Sequence, residues 1–159
     1  MVEGKTVVTR GFTCDEELTA LVRAFETCEI SREAWDHAGH IAVALVYATE
    51  FGEDSGTERM RSALLHFAKV NNIVPSPGRG YHETLTRFWM RMVAVVASEL
   101  DACEPLFARA NAAIERLADK NVAKCYYSSE LLASDEARNG FVTPDLAELP
   151  APQQSLQAG

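Results

Sequence analysis

The chain has 159 residues, of which 47% are hydrophobic, and this length suits one domain with a sizeable core. Its net charge of −8 argues against general nucleic-acid or membrane-surface binding, since proteins of those classes present a basic face. The longest apolar stretch is too short to span a bilayer, and the first residues lack the apolar segment of a signal peptide. We therefore expect a cytoplasmic protein with reduced, unpaired cysteines at positions 14, 28, 103 and 125.

Apolar residues at spacings of three and four predict helices along most of the chain. In chain order, the predicted helices are residues 13–28, 31–50, 57–72, 81–101, 104–118 and 129–137. A capping box at residues 13–16 marks the start of the first helix, and Ser31 marks the start of the second. Residues 52–56 are polar and contain glycine, so we expect a loop there. The prolines and glycines of residues 75–80 end the third helix.

This pattern predicts an all-α fold whose core is a four- or five-helix up-and-down bundle. Residues 1–12 form an N-terminal segment, residues 13–142 a single helical domain, and residues 143–159 an extended or partly disordered proline-rich tail. The last eight or so residues are expected to be disordered. The only candidate strand is Lys5 to Arg10.

Three histidines fall on helix faces that otherwise carry apolar residues. His37 and His40 are three residues apart on the predicted second helix, and His82 lies at the start of the predicted fourth helix. A spacing of three places the first two imidazoles on one face. The second and fourth helices of an up-and-down bundle run parallel, so all three histidines are expected at the same end of the bundle.

Three convergent imidazoles leave coordination positions open, as a catalytic metal site requires. Neutral nitrogen ligands suit one divalent transition metal, and we expect zinc or iron. Glu83 then acts as the catalytic base toward metal-bound water, or as a fourth ligand, with Glu33 as the alternative carboxylate. Two further interpretations stay open: a metal-free polar pocket, and histidines whose hydrogen bonds are satisfied within the core.

Four more residues are candidates for substrate binding. Arg79 lies in the loop before the predicted fourth helix and could bind a carboxylate or phosphate, although a solvated loop arginine is the favoured interpretation. Tyr81 and Thr86 flank the third histidine along the chain. Trp89 could line a pocket or simply pack in the core.

Three sequence runs carry a resemblance to known proteins. Residues 35–40 (WDHAGH), residues 80–89 (GYHETLTRFW) and residues 127–138, followed by Pro144-Asp145-Leu146, resemble a family of small bacterial all-helical proteins of unknown function. The resemblance covers roughly residues 25–150 and implies that the three histidines and the glutamate after the third act as a group. The arrangement is also loosely similar to DinB-like metal-binding bundles, which place a lone histidine before a pair, the reverse of the order here.

The sequence thus predicts a metal-dependent enzyme, hydrolytic or otherwise non-redox, that acts on a small molecule, for which an anion is one candidate. A metal-free small-molecule binding module is the first alternative. The second is a helical interaction domain whose tail docks a partner or another copy of the chain in a homo-oligomer. Neither nucleic acid nor a membrane is an expected partner.

Overall fold

The computed structural model describes residues 7–153, and this part of the chain contains helices and no strand. The all-α prediction is confirmed. In chain order the elements are α1 (Asp15–Glu26), α2 (His37–Val70), α3 (Glu83–Glu99), α4 (Leu106–Arg116), a 3-10 helix (Lys120–Cys125), α5 (Ser129–Leu132) and α6 (Asp135–Asn139). Residues 5 and 6 of the candidate strand lie outside the described residues, and residues 7–10 form no strand. Most of the end segment predicted to be disordered, residues 154–159, also lies outside them.

The start of α1 differs from the predicted capping box. Cys14 occupies the N-cap position and makes no side-chain capping hydrogen bond. Glu17, rather than Glu16, reaches back, and its carboxylate accepts a hydrogen bond from Thr13 N at 2.8 Å. Acidic residues in the first turn still suit the positive end of the helix dipole.

The expected loop at residues 52–56 is reduced to a kink at Gly52, because residues 53–56 are helical. The helix is kinked at Gly52, whose φ of 82° and ψ of 171° depart from helical values. Gly56 serves close packing rather than a turn, since a Cβ atom there would lie 3.1 Å from Met90 Cε and 3.1 Å from the carbonyl of Tyr47. The predicted second and third helices are therefore the two halves of one kinked element.

The start of α2 also differs from the prediction. Ser31 caps only a short turn, in which its hydroxyl accepts a hydrogen bond from Ala34 N at 3.1 Å. Asp36 is the N-cap of α2 and accepts from Gly39 N at 2.9 Å. Aspartate is among the best N-cap residues, and its charge suits this end of a helix. His37 is consequently the first residue of α2, not a residue of a later turn.

The main hydrophobic core surrounds the first half of α2, which packs against α1, α3 and α4. Every residue from Ile41 to Tyr47 is buried. A helix that is apolar on all sides must be enclosed by other elements, which explains this central position. Phe25 of α1 stacks on Trp35, with ring centroids 4.0 Å apart, and so ties the segment before α2 to the core.

A second hydrophobic cluster joins the C-terminal segments to α3. Phe88 and Tyr127 are fully buried there. Thr84 is also fully buried, and its hydroxyl donates to Gly140 O at 2.9 Å while accepting from Val142 N at 3.2 Å. The chain beyond residue 126 is thereby attached to the first turn of α3.

The remaining helices lie close to their predicted positions but are shorter. The predicted helix 129–137 is two short helices, whose serine N-caps, Ser128 and Ser134, each accept a backbone hydrogen bond. The 3-10 helix was not predicted. Within residues 7–153, no helix is long and apolar enough to cross a membrane.

Candidate functional site

A cavity of about 520 Å³ lies where the first turns of α2, the second half of α2 and the start of α3 meet. Its lining includes six of the eight residues predicted for the site: His37, His40, Tyr81, His82, Thr86 and Trp89. The other two, Arg79 and Glu83, are not part of the lining. The structure therefore brings the three histidines into one cavity, as the helix-face argument predicts.

One wall of the cavity is apolar. Met60, Leu64 and Phe67 from the second half of α2 contribute to it, together with Leu85 and Trp89 from α3. Volumes of this size and a mostly apolar lining with a few polar groups are typical of small-molecule sites. The three histidines are among the polar groups that line the same cavity.

His82 has both ring nitrogens engaged. It is the N-cap of α3, and its Nδ1 accepts a hydrogen bond from Leu85 N at 3.2 Å. Its Nε2 lies 2.8 Å from Leu132 O, a carbonyl that can only accept. These partners require the neutral ring with the proton on Nε2. In this arrangement His82 has no free lone pair for a metal ion.

His37 has one ring nitrogen engaged. Its Nε2 lies 2.7 Å from Leu117 O and therefore donates to that carbonyl. The ring also contacts the edge of Trp89, with centroids 4.7 Å apart. Nδ1 is left without a protein partner among the described residues, so His37 retains one nitrogen for a ligand.

The imidazole of His40 makes no hydrogen bond with the described part of the protein. Its ring lies against Trp35, with centroids 4.4 Å apart. The pKa of His40 is lowered to about 4, first by burial and then by the neighbouring His37 and Lys120, while Asp36 opposes the shift. The imidazole is therefore neutral at neutral pH and offers one donor and one acceptor.

The metal hypothesis stays a prediction after the structure is described. Among residues 7–153, no group of three or more histidine, cysteine, aspartate or glutamate side chains is arranged to hold a metal ion. Of the three cavity histidines, His37 and His40 keep ring nitrogens that have no partner among residues 7–153. The three-histidine centre stays a prediction, and it would require His82 to give up one of its two hydrogen bonds.

Glu83 is the most constrained of the predicted residues. It is buried, and both carboxylate oxygens accept from Arg61, at 2.7 Å from Nε and 2.6 Å from Nη2. The hydroxyl of Tyr81 also donates to this carboxylate. The Arg61 hydrogen bonds lower the pKa of Glu83, against the effect of burial. Its geometry is that of a structural ion pair beside the cavity, and its role as a base stays a prediction.

Glu33 and Arg79 both lie on the surface. Glu33, the alternative carboxylate, is in the short turn before α2 and therefore shares no helix face with His37. The side chain of Arg79 is exposed, and its backbone pairs with Ser76 in a tight turn. Substrate binding by Arg79 stays a prediction that this position does not favour.

The loop that carries Arg79 closes one side of the cavity and is held by a single arginine. Gly78 and Gly80 of this loop line the cavity. Arg138 of α6 donates to three carbonyls of the loop, those of Arg79 at 2.8 Å, Ser76 at 3.0 Å and Tyr81 at 3.3 Å.

We expect Arg138→Gln to loosen this loop, because the amide cannot span three acceptors. Hydrogen exchange of the Arg79 amide, which bonds to Ser76 O at 2.9 Å, should become about tenfold faster, the effect of roughly 1.4 kcal/mol. Arg116→Gln removes an exposed ion pair with Glu99 elsewhere and should leave that amide unchanged. Equal exchange in wild type and Arg138→Gln would contradict the assignment.

The lining residues that the sequence analysis did not name for the site include Trp35, Asp36 and Lys120. The first two precede α2 directly, and a correct N-cap assignment to Asp36 would have placed them. Lys120 comes from the unpredicted 3-10 helix, and the sequence gives no local signal for its position.

No protein-family model, curated protein or solved structure matches this chain.

Proposed function

We propose that this protein binds a small molecule in the cavity between α2 and α3, through its histidines and its apolar wall. The observation that carries the proposal is that the imidazole of His40, which has no hydrogen-bond partner among residues 7–153, lines a largely apolar cavity of about 520 Å³. A ligand that fills the cavity would supply the partner that the ring lacks. Binding of this kind needs no metal ion.

The hydrogen bonds of His82 favour ligand binding over a three-histidine metal centre. Coordination by Nδ1 would remove the cap of α3, and coordination by Nε2 would leave the carbonyl of Leu132 without its donor. Losing a helix cap costs about 1 kcal/mol, and an unsatisfied buried polar group costs about 1–3 kcal/mol. A ligand recognised by His40 and by Nδ1 of His37 incurs neither cost.

The metal-dependent enzyme is retained as the second candidate, because His37 and His40 line the same cavity and each keeps a free nitrogen. Zinc or iron bound by this pair would need further ligands from the substrate or water. Hydrolytic or other non-redox chemistry on a small molecule remains the form of this candidate, with Glu83 as its base.

Intrinsic fluorescence gives a direct test of the ligand proposal. The chain has two tryptophans, and both Trp35 and Trp89 line the cavity. We expect at least one member of a panel of small alcohols, amides, amines and carboxylates with hydrocarbon bodies to change this fluorescence saturably. The same ligand should raise the melting temperature, because it binds only the folded state.

A matched pair of variants locates the binding. Ala68→Leu adds three carbons to the cavity lining and should weaken binding about tenfold or more. Ala63→Leu makes the same change on the same half of α2, where Ala63 lines a separate groove, and should leave binding unchanged. Failure of the whole panel, or equal binding to Ala68→Leu and wild type, would contradict the proposal.

The metal content of the purified protein separates the ligand-binding protein from the metal-dependent enzyme. Protein purified without chelators should contain no stoichiometric zinc or iron by elemental analysis. One metal per chain that is lost in both His37→Ala and His40→Ala would instead support the enzyme. The exposed His66 provides the control, since His66→Ala should not change metal content in either case.

The proposal also includes the more detailed expectations from the sequence about fold, cellular setting and partners. These are a four- or five-helix up-and-down bundle with an extended proline-rich tail, a bacterial cytoplasmic setting, and small molecules rather than nucleic acid as partners. Self-association is left to measurement of the oligomeric state.

A further inference from the structure

The acidic and basic side chains that line the cavity differ in whether they have a partner of opposite charge. Asp36 lines the cavity, but its carboxylate accepts from Gly39 N at 2.9 Å and from Arg10 at 2.5 Å. Lys120 also lines the cavity, and within residues 7–153 its ammonium group forms no ion pair or hydrogen bond. The uncompensated charge at the cavity is therefore positive.

From this we propose that the ligand is a small organic carboxylate with an apolar body, whose acidic group pairs with Lys120 and whose body lies on the wall formed by Phe67, Leu85 and Trp89. The inference rests on the proposed function and names the class of ligand for the same cavity.

The two long helices that begin at the cavity support a negative ligand. α2 begins at His37, α3 begins directly after His82, and both histidines line the cavity. The N-terminal ends of helices carry positive partial charge and favour anions. The acidic residues next to these ends, Asp36 and Glu83, are each paired with an arginine, which offsets their charge.

The composition of the lining favours a carboxylate over a phosphate. One ammonium group balances one negative charge, whereas a phosphate dianion is usually held by several cations or by a cradle of backbone amides. The lining contains Lys120 and no arginine. The apolar residues of the same lining need a hydrocarbon or aromatic body, which a phosphate alone lacks.

The position of Lys120 allows its side chain to be replaced without disturbing the fold. The residue is exposed at the start of the 3-10 helix, where Asp119 caps the helix by accepting from Asn121 N at 2.9 Å. Its side chain can therefore be changed while the backbone keeps its own hydrogen bonds. Lys124, exposed on the same 3-10 helix and outside the cavity lining, offers a matched control.

The test compares octanoate with octanamide, two probes with the same hydrocarbon chain that differ in charge and are transparent where tryptophan absorbs. Each is titrated into wild type, Lys120→Gln and Lys124→Gln by tryptophan fluorescence. We expect wild type and Lys124→Gln to bind octanoate about tenfold more tightly than octanamide, the effect of one charge-assisted hydrogen bond. Lys120→Gln should lose this preference while it still binds octanamide. Added salt should reduce the preference in wild type.

Equal affinity for the two probes in wild type would overturn the inference and leave the proposed function intact. A preference for octanoate that persists in Lys120→Gln would overturn the assignment of Lys120. Absence of binding by both probes would also overturn the inference, whereas the proposed function fails only if the wider panel gives no binding that Ala68→Leu weakens. Melting temperatures of the two lysine variants, expected to match wild type, exclude misfolding as the cause of any loss.

Discussion

Acidification from about pH 7.5 to about pH 5 should reduce the free energy of unfolding of the wild-type protein by about 2 kcal/mol more than that of a His40→Gln variant. The reason is the low pKa of His40 in the folded state. Burial lowers this pKa from 6.5 to about 4, so the folded protein resists protonation that the unfolded chain accepts. As the pH falls below 6.5, the unfolded state binds a proton and is favoured. The contribution of neutral His40 to the free energy of unfolding is lost between pH 6.5 and about 4.

Equilibrium unfolding in urea at several pH values measures this effect. Carboxylates also titrate in acid, but they do so in both proteins, and the difference between wild type and variant isolates the histidine. A chelator should be present throughout, because a bound metal would compete with the proton. His66→Gln removes an exposed histidine from the same helix and serves as the control. Parallel pH profiles for wild type and His40→Gln would show that His40 is solvated and free to protonate.

The convergence of the histidines could be predicted in part from helix faces. Spacing of three places His37 and His40 on one face of α2, and this survives the error in the start of the helix. His82 is the N-cap of α3 and lies outside the helix, so the apolar arc of α3 does not set its direction. The sequence pattern places the N-cap of α2 five residues too early, at Ser31, because serine and aspartate are both good N-caps. The chain uses Asp36, and Ser31 caps a separate turn.

The chemical state of each histidine could not be predicted, because it depends on contacts distant in sequence. His37 donates to a carbonyl 80 residues away, and His82 donates to one 50 residues away. The same holds for Lys120, which an unpredicted 3-10 helix brings to the cavity. Periodicity indicates which face a residue occupies, but it gives no partner for a ring nitrogen. For this reason the sequence could predict that the histidines share a site, but not whether their ring nitrogens are free to bind a metal.

Glu83→Gln should lower the free energy of unfolding at neutral pH by about 2–3 kcal/mol, the range expected when one member of a buried, hydrogen-bonded ion pair is neutralised. The carboxylate is buried with its side chain 10% exposed, and Arg61, 33% exposed, binds both oxygens. Because these contacts lower the pKa of Glu83, its stabilising effect is fully present above the unfolded pKa of about 4.5 and is lost as the pH falls through the lower folded value.

Two comparisons identify the cause of this loss. Glu53→Gln breaks the ion pair between Glu53, whose side chain is 27% exposed, and Arg91, whose side chain is 34% exposed. This change should lower the free energy of unfolding by less than about 1 kcal/mol. Replacing both Arg61 and Glu83 by methionine should recover much of the stability lost in Glu83→Gln, because it leaves no unpaired buried charge. Urea unfolding of the four proteins measures all these differences. A cost for Glu83→Gln no larger than that for Glu53→Gln would mean that the pair is solvated.

The same variant bears on the cavity, because the hydroxyl of Tyr81 donates to Glu83 and Tyr81 lines the cavity. A glutamine at position 83 can still accept from Tyr81, so the cavity wall should keep its shape while the protein loses stability. We therefore expect cavity ligands to bind Glu83→Gln with nearly wild-type affinity at temperatures where it is folded. If Glu83 is instead the base of a metal-dependent reaction, the variant would bind substrate normally and lose turnover, and this would separate a catalytic role from a structural one.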